Sequence, residues 1–133
     1  MIDVESMVLT RIKKRVCSKF PNASFTGEEV RSSSEFPLVS VVETDNYTYE
    51  NTIDSSSNEN HAVIVFEVDA YSNKTTKKKT ECKEIFALVD NEMLAIGFVR
   101  TMKNVIRDED ATVYRIKGRY TAVVSEEKIF YRR

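Results

Sequence analysis

Apolar positions along this chain change period from one stretch to the next, and the changes mark its elements. Between Ala62 and Ala70 every second side chain (Ala62, Ile64, Phe66, Val68, Ala70) is apolar or small, while Glu67 and Asp69 lie on the opposite face. That period of two predicts a half-buried strand. After a polar, Lys-rich turn from Tyr71 the period lengthens. Cys82, Ile85, Phe86, Val89 and Met93 recur at helical spacing and form one stripe of an amphipathic helix. Gly97 follows, the residue most tolerant of a left-handed C-terminal cap. Nearer the N-terminus Val4, Met7, Val8, Ile12 and Val16 make another helical stripe, with Leu9 and Phe20 at its edges. Asp3 is placed to cap that helix and Pro21-Asn22 to end it.

Shorter runs fill the rest. Ala23–Thr26 reads as a short strand before Gly27, Glu28–Glu35 as a polar loop, and Leu38–Thr44 as a strand after Pro37. Tyr47–Ile53 reads either as a further short strand or as part of an arm. Asp54–Asn60 has no apolar residue and reads as a loop, so a mobile arm is expected at about 46–60. Beyond the second helix, Phe98–Ile106, Thr112–Val124 and Ile129–Tyr131 read as strands joined by the turns Arg107–Asp110 and Ser125–Lys128. Gly118 in mid-strand points to a bulge or a close backbone approach. The order is α-β-β-(β)-β-α-β-β-β. The economical solution is one α+β domain over 1–133, an antiparallel or mixed sheet with two helices packed on one face.

Composition narrows the function classes. The 133 residues, 41% hydrophobic and 31% charged, suit one soluble globular domain. Lys and Arg number 20 against 21 Asp and Glu, so the whole molecule is no generic nucleic-acid binder. No stretch approaches the ~20 apolar residues that cross a membrane, and the N-terminal residues lack the pattern of a secretory signal. Cys17 and Cys82 fall on predicted helices and read as buried thiols. A disulfide would need an oxidising compartment, for which the N-terminus gives no support.

Candidate chemistry is sparse. The single histidine, His61, opens a strand beside a polar loop, without a second ligand at metal spacing, and reads as a surface residue. The Ser32-Ser33-Ser34 run lacks a nucleophile elbow, and no glycine-rich phosphate cradle occurs. No enzyme, metal or cofactor is expected. Two surfaces stand out instead. Arg115, Lys117 and Arg119 form a basic stripe on the strand face away from the core, and Glu43, Asp45, Glu67 and Asp69 form acidic stripes on other strands. These read either as cross-strand ion pairs or as a face that meets a neighbouring subunit or DNA. Tyr47 and Tyr49 alternate beside the polar loop, where tyrosines serve as contact residues.

Particular words in the chain resemble a family. They are Asp45-Asn46, Ser57-Asn58-Glu59-Asn60-His61-Ala62, Tyr71-Ser72-Asn73-Lys74-Thr75, Lys78-Lys79-Thr80-Glu81-Cys82-Lys83, Tyr114-Arg115-Ile116, Arg119-Tyr120 and the ending Ile129-Phe130-Tyr131-Arg132-Arg133. Together they make the chain similar to tail-completion proteins of long-tailed bacteriophages and prophages, the group of tail terminators and head–tail joining proteins. The resemblance runs over nearly the whole chain. It departs at Lys77, where a glycine is expected before the Lys78-Lys79 pair. The resemblance implies a structural protein of the virion neck, assembled in the host bacterial cytoplasm. It would cap the tail tube as a hexameric ring, end tail elongation and join the tail to the DNA-filled head. Its partners would be copies of itself, the major tail tube protein and a head–tail connector, with DNA only in transit and no membrane. The edges of the strand–helix unit are the expected subunit contacts: Tyr47, Tyr49, Asn60, Lys77, Lys78 and Lys79. A reading from another class is a small nucleic-acid-binding module that uses the Arg115, Lys117, Arg119 face.

Overall fold

The computed structural model describes residues 2–28, 36–48, 61–74, 76–107 and 112–131. Its elements are α1 (Glu5–Cys17), β1 (Ser24–Thr26), β2 (Leu38–Thr48), β3 (His61–Ser72), α2 (Lys78–Ile96), β4 (Val99–Arg107), β5 (Tyr114–Ser125) and β6 (Phe130–Tyr131). The strands form one mixed sheet in the order β1-β2-β3-β5-β4, with β6 on β5. β1 runs parallel to β2, and every other pairing is antiparallel. This is the expected α+β arrangement, with both helices on one face.

Periodicity explains the packing. The α1 stripe Val8, Ile12, Val16 and the α2 stripe Cys82, Ile85, Phe86, Val89, Met93 are buried against Ile64, Phe66 and Val68 of β3 and Ile116, Tyr120 and Val124 of β5. Each fully buried aliphatic or aromatic side chain contributes roughly 1.5–3 kcal/mol by leaving water. Gly118 answers its sequence anomaly. A Cβ there would lie 2.6 Å from Cζ of Phe86 and 2.9 Å from Cε2. The close approach is that of a helix side chain, and the bulge lies on the neighbouring strand, at Thr101 of β4. Gly97 has φ 128°, and a Cβ there would meet Phe130 at 2.6 Å.

Several boundaries move. Helix α1 is capped at Val4, although Asp3 Oδ1 does accept the Glu5 N–H at 3.1 Å. The helix ends at Cys17, before Pro21, and the Phe20 N–H bonds back to Val16 O at 2.7 Å to close a final turn. Lys78 and Lys79, expected in a turn, are the first residues of α2. Tyr47 does not begin a separate strand or an arm: β2 runs on through it to Thr48. A bulge at Thr44 breaks the alternation there and disguises one strand as two. The remainder of the expected arm, with Tyr49 and Asn60, lies outside the described residues.

Candidate functional site

The strand register sorts every charged candidate by face. Residues paired directly across an antiparallel ladder share a face. Val68 pairs with Gly118 and Phe66 with Tyr120, and all four belong to the face under the helices. Tyr71, Asp69 and Glu67 of β3 lie opposite Arg115, Lys117 and Arg119 of β5 on the far face. The basic stripe is thus where its alternation put it.

Two of its three members are engaged. Arg115 donates from Nε to Asp69 Oδ1 at 3.1 Å, and its guanidinium carbon sits 5.1 Å from the centre of the Tyr71 ring. Lys117 Nζ is 3.7 Å from Glu67 Oε1. Both bonds run diagonally, each cation reaching a carboxylate one pair removed from its own partner. Asp69 is only 6% exposed, and burial raises its pKa above the ordinary carboxylate value while the Arg115 hydrogen bond and charge pull it back. Arg119 is exposed and has no ion pair among the described residues. On the far face the ladder continues into an apolar end at Val63, Val65 and Val123, with exposed Tyr47 and Tyr131 beside it.

The acidic stripes separate. Asp45 pairs with Val65 and stands on the far face, but Glu43 pairs with Phe66 and stands on the helix face. Two residues apart, they were expected on one face, and the extra residue Thr44 puts them on opposite ones. Glu43 therefore leaves the far-face set and joins the N-terminus of α1. Asn46 donates from Nδ2 to Glu43 Oε1 at 3.2 Å and to the backbone oxygen of Ile2 at 2.8 Å, tying the chain start to β2. Burial, and then the charges of Glu5 and Asp3, push the Glu43 pKa above the ordinary glutamate value.

The other side of the sheet has the opposite sign. β4 is the last strand in the sheet order. Its Arg100, Lys103 and Val105 pair with Tyr120, Gly118 and Ile116 and so share the helix face. Arg100 Nη1 donates to Asp90 Oδ1 at 3.1 Å, and that oxygen also accepts the Tyr120 hydroxyl at 2.7 Å. Burial and the Asp90 hydrogen bond push the Tyr120 pKa up, so this phenol remains a donor. Lys103 Nζ lies 5.7 Å from the centre of the Phe86 ring. Val105 is 57% exposed, an apolar side chain left at the edge.

The remaining candidates are plainer. Lys77 caps α2 in the left-handed region, φ 62° and ψ 26°, where glycine is favoured; its side chain is exposed, as is that of Lys79, while Lys78 is half-buried. His61 is not a plain surface residue. Its ring tilts against Tyr131 at 5.5 Å, and Nδ1 is buried. Cys82 is fully buried and donates to Ala70 O at 3.1 Å; burial pushes its thiol up to about 12. Among the described residues Cys17 and Cys82 are both free, and no group of three or more His, Cys, Asp or Glu could hold a metal ion. None of the described helices is long and apolar enough to cross a membrane. A groove of about 430 Å³ runs between α1 and α2, lined by Arg11, Lys14, Arg15, Ser18 and Glu92, and the Arg11–Glu92 ion pair at 2.8 Å spans it. Sequence reasoning missed this pairing and the acid–base polarity across the sheet, because both depend on which elements become neighbours. No protein-family model matches the chain, and no curated protein does.

Proposed function

We propose that the protein is a structural subunit of a bacteriophage or prophage neck, a tail-completion protein that works by protein–protein contact as part of a ring on the tail tube. The family words in the sequence carry the name. The observation that supports the mode of action is the two-sided sheet. Its helix face is covered by the core except along β4, while its far face presents a charged ladder ending in the exposed side chains of Tyr47 and Tyr131. Surfaces of that kind, polar with aromatic anchors, suit specific contact between proteins. Copies of the chain, the major tail tube protein and a head–tail connector are the proposed partners. DNA passes through without being held, and no catalytic step or cofactor is assigned.

The reading as a nucleic-acid-binding module draws less from the same geometry. Asp69 and Glu67 already neutralise Arg115 and Lys117, leaving Arg119 alone on that stripe. Phosphate affinity scales with the number of cations free to replace counterions. Deletion of the gene from its phage or prophage tests the proposal. Electron microscopy should find full heads beside detached tails, many of abnormal length. Normal-length tails joined to heads would overturn it. A gel-shift titration with short duplex DNA at about 0.1 M salt should show no complex, and one abolished by changing Arg115, Lys117 and Arg119 to Ser would revive the other reading.

A further inference from the structure

We propose that the two flanks of the sheet form a single head-to-tail contact between copies of this chain, the acidic flank at β2 and the start of α1 (Asp3, Glu5, Glu43, Asp45) meeting the basic flank at β4 and β5 (Arg100, Lys103, Arg119) of the next copy. The inference deepens the ring reading and rests on it for its closure into a ring; the contact itself rests on charge and position.

Position comes first. β3 and β5 lie between β2 and β4 in the sheet order. With neighbouring strands roughly 4.8 Å apart, three such steps separate β2 from β4, and the two flanks lie toward opposite ends of the strand order. A contact between unlike patches on opposite sides of one molecule is heterologous, and such contacts make rings or filaments, not two-fold dimers.

Charge comes second. The whole chain is nearly neutral, with a formal net charge of −1, yet its charges are sorted. The described side chains of β4 include Arg100 and Lys103 and no acid, and Arg119 of the adjoining β5 stands at the same end of the sheet on the far face, opposite Met102. The part of β2 beyond β1's reach carries Glu43 and Asp45 and no base, with Asp3 and Glu5 against it; Arg11 and Lys128 border the hollow beside Asp3. Glu5 is close enough to reach Gly27, where a Cβ would lie 3.8 Å from its Oε1 and equally far from Val41 O. None of these four acids has a salt bridge within 4.0 Å among the described residues, and neither Lys103 nor Arg119 has one. Burial, and after it the charges of Glu5 and Asp3, raises the Glu43 pKa in the lone subunit; a neighbour's cations would offset the charge part. The basic flank would repel a second basic flank, so charge selects head-to-tail over head-to-head. Each flank also exposes one large apolar side chain, Val105 at 57% on one and Tyr47 at 43% on the other, the material for a contact centre inside a charged rim.

Two one-sided variants test this. Lys103→Glu with Arg119→Glu disables the basic flank, and Asp3→Lys with Asp45→Lys disables the acidic one; both pairs are exposed, and circular dichroism with thermal melting checks that each variant folds. Sedimentation velocity at low salt is the readout. Wild-type chain should sediment faster as its concentration rises. Each variant alone should remain a monomer, because its two flanks then carry like charge, and an equimolar mixture should associate again, because every contact between unlike variants joins flanks of opposite sign. Variants that associate like wild type would overturn the contact while leaving a ring built elsewhere intact. A mixture that stays monomeric at the highest soluble concentration also overturns it, and the gene-deletion phenotype then judges the ring reading independently.

Discussion

Lys77 holds a backbone conformation that its side chain disfavours. Its left-handed φ of 62° at the start of α2 falls where glycine was expected from the family pattern. A left-handed conformation costs an ordinary residue about 1–2 kcal/mol, part of which glycine gives back through its looser unfolded chain. Lys77→Gly should therefore stabilise the fold by about 0.5–1 kcal/mol and raise the melting temperature by about 2–4 °C; no rise in a thermal melt would mean the turn relaxes at Lys77 without strain. If the variant is more stable but assembles less well, the lysine is kept for contact. Glu43 makes a related argument through protonation. Its folded pKa lies above its unfolded one, so both states are neutral and no cost arises below the ordinary glutamate range. As pH rises through the raised folded value, the carboxyl must ionise in a crowded, partly buried place, and stability falls. Glu43→Gln keeps an acceptor for Asn46 and removes that cost. It should stabilise the lone subunit at pH 7 by about a few tenths of a kcal/mol, the small size reflecting solvent screening. Urea melts should show the gain shrinking to nothing below about pH 4. A gain unchanged at low pH would place its origin in packing.

Elements show what alternation can and cannot reveal. The β3 and β5 faces, the α1 and α2 stripes and the place of Gly118 were all legible, because each depends on a repeat within one segment. Ala62 to Ala70 and Tyr114 to Val124 keep their period without a slip, and the pairing follows it residue by residue. The error at Glu43 and Asp45 has one cause. A bulge adds a residue to a strand, and nothing in Val42-Glu43-Thr44-Asp45 announces it; only the partner β3 defines which residue is extra. Cross-strand ion pairing on the far face was one of two readings of the stripes, but which acid each base takes was not legible, since the diagonal choice of Asp69 by Arg115 is a property of the register. The bulge is itself testable. Thr44 Oγ1 donates to Val65 O at 3.4 Å, and Asn46 beyond it anchors Ile2. Deleting Thr44 removes the extra residue and leaves Asp45, Asn46 and Tyr47 opposite Val65, Ile64 and Val63, on their present faces, with both Asn46 hydrogen bonds in reach. The loss should be no more than the ~0.5–1.5 kcal/mol of the one Thr44 hydrogen bond, with hydrogen-exchange protection of β2 and α1 kept relative to β5. Early exchange confined to β2 and α1 would show that this corner needs the added length of the bulge and not only its register.

At the scale of the whole molecule, stability and assembly draw on different forces, and salt should separate them. The fold is held by an apolar core whose members (Phe66, Phe98, Ile12, Ile85, Met93 and others) are almost wholly shielded from water. The ion pairs are mostly wet: Lys19 and Glu84 are 59% and 47% exposed, and Arg11, Lys74 and Arg100 each retain over two-fifths of their exposure. Pairs of that kind contribute about 0–1 kcal/mol each. Raising salt from about 0.05 M to about 0.5 M shortens the screening length from beyond 10 Å toward a few ångströms. It should leave the melting temperature of the monomer nearly unchanged, because little of its stability is screened. Contact between the acidic and basic flanks depends on charges exposed before they meet, so the same change should return a self-associating sample to monomer. Thermal melts of the monomeric variant with both Lys103→Glu and Arg119→Glu, set beside sedimentation of the wild-type chain across that range, measure the two responses separately. A melting temperature that falls with salt would assign the far-face ladder of Asp69, Arg115, Glu67 and Lys117 a larger share of the fold. Association that strengthens with salt would mean that the exposed apolar side chains Val105 and Tyr47, not the charges around them, drive the contact.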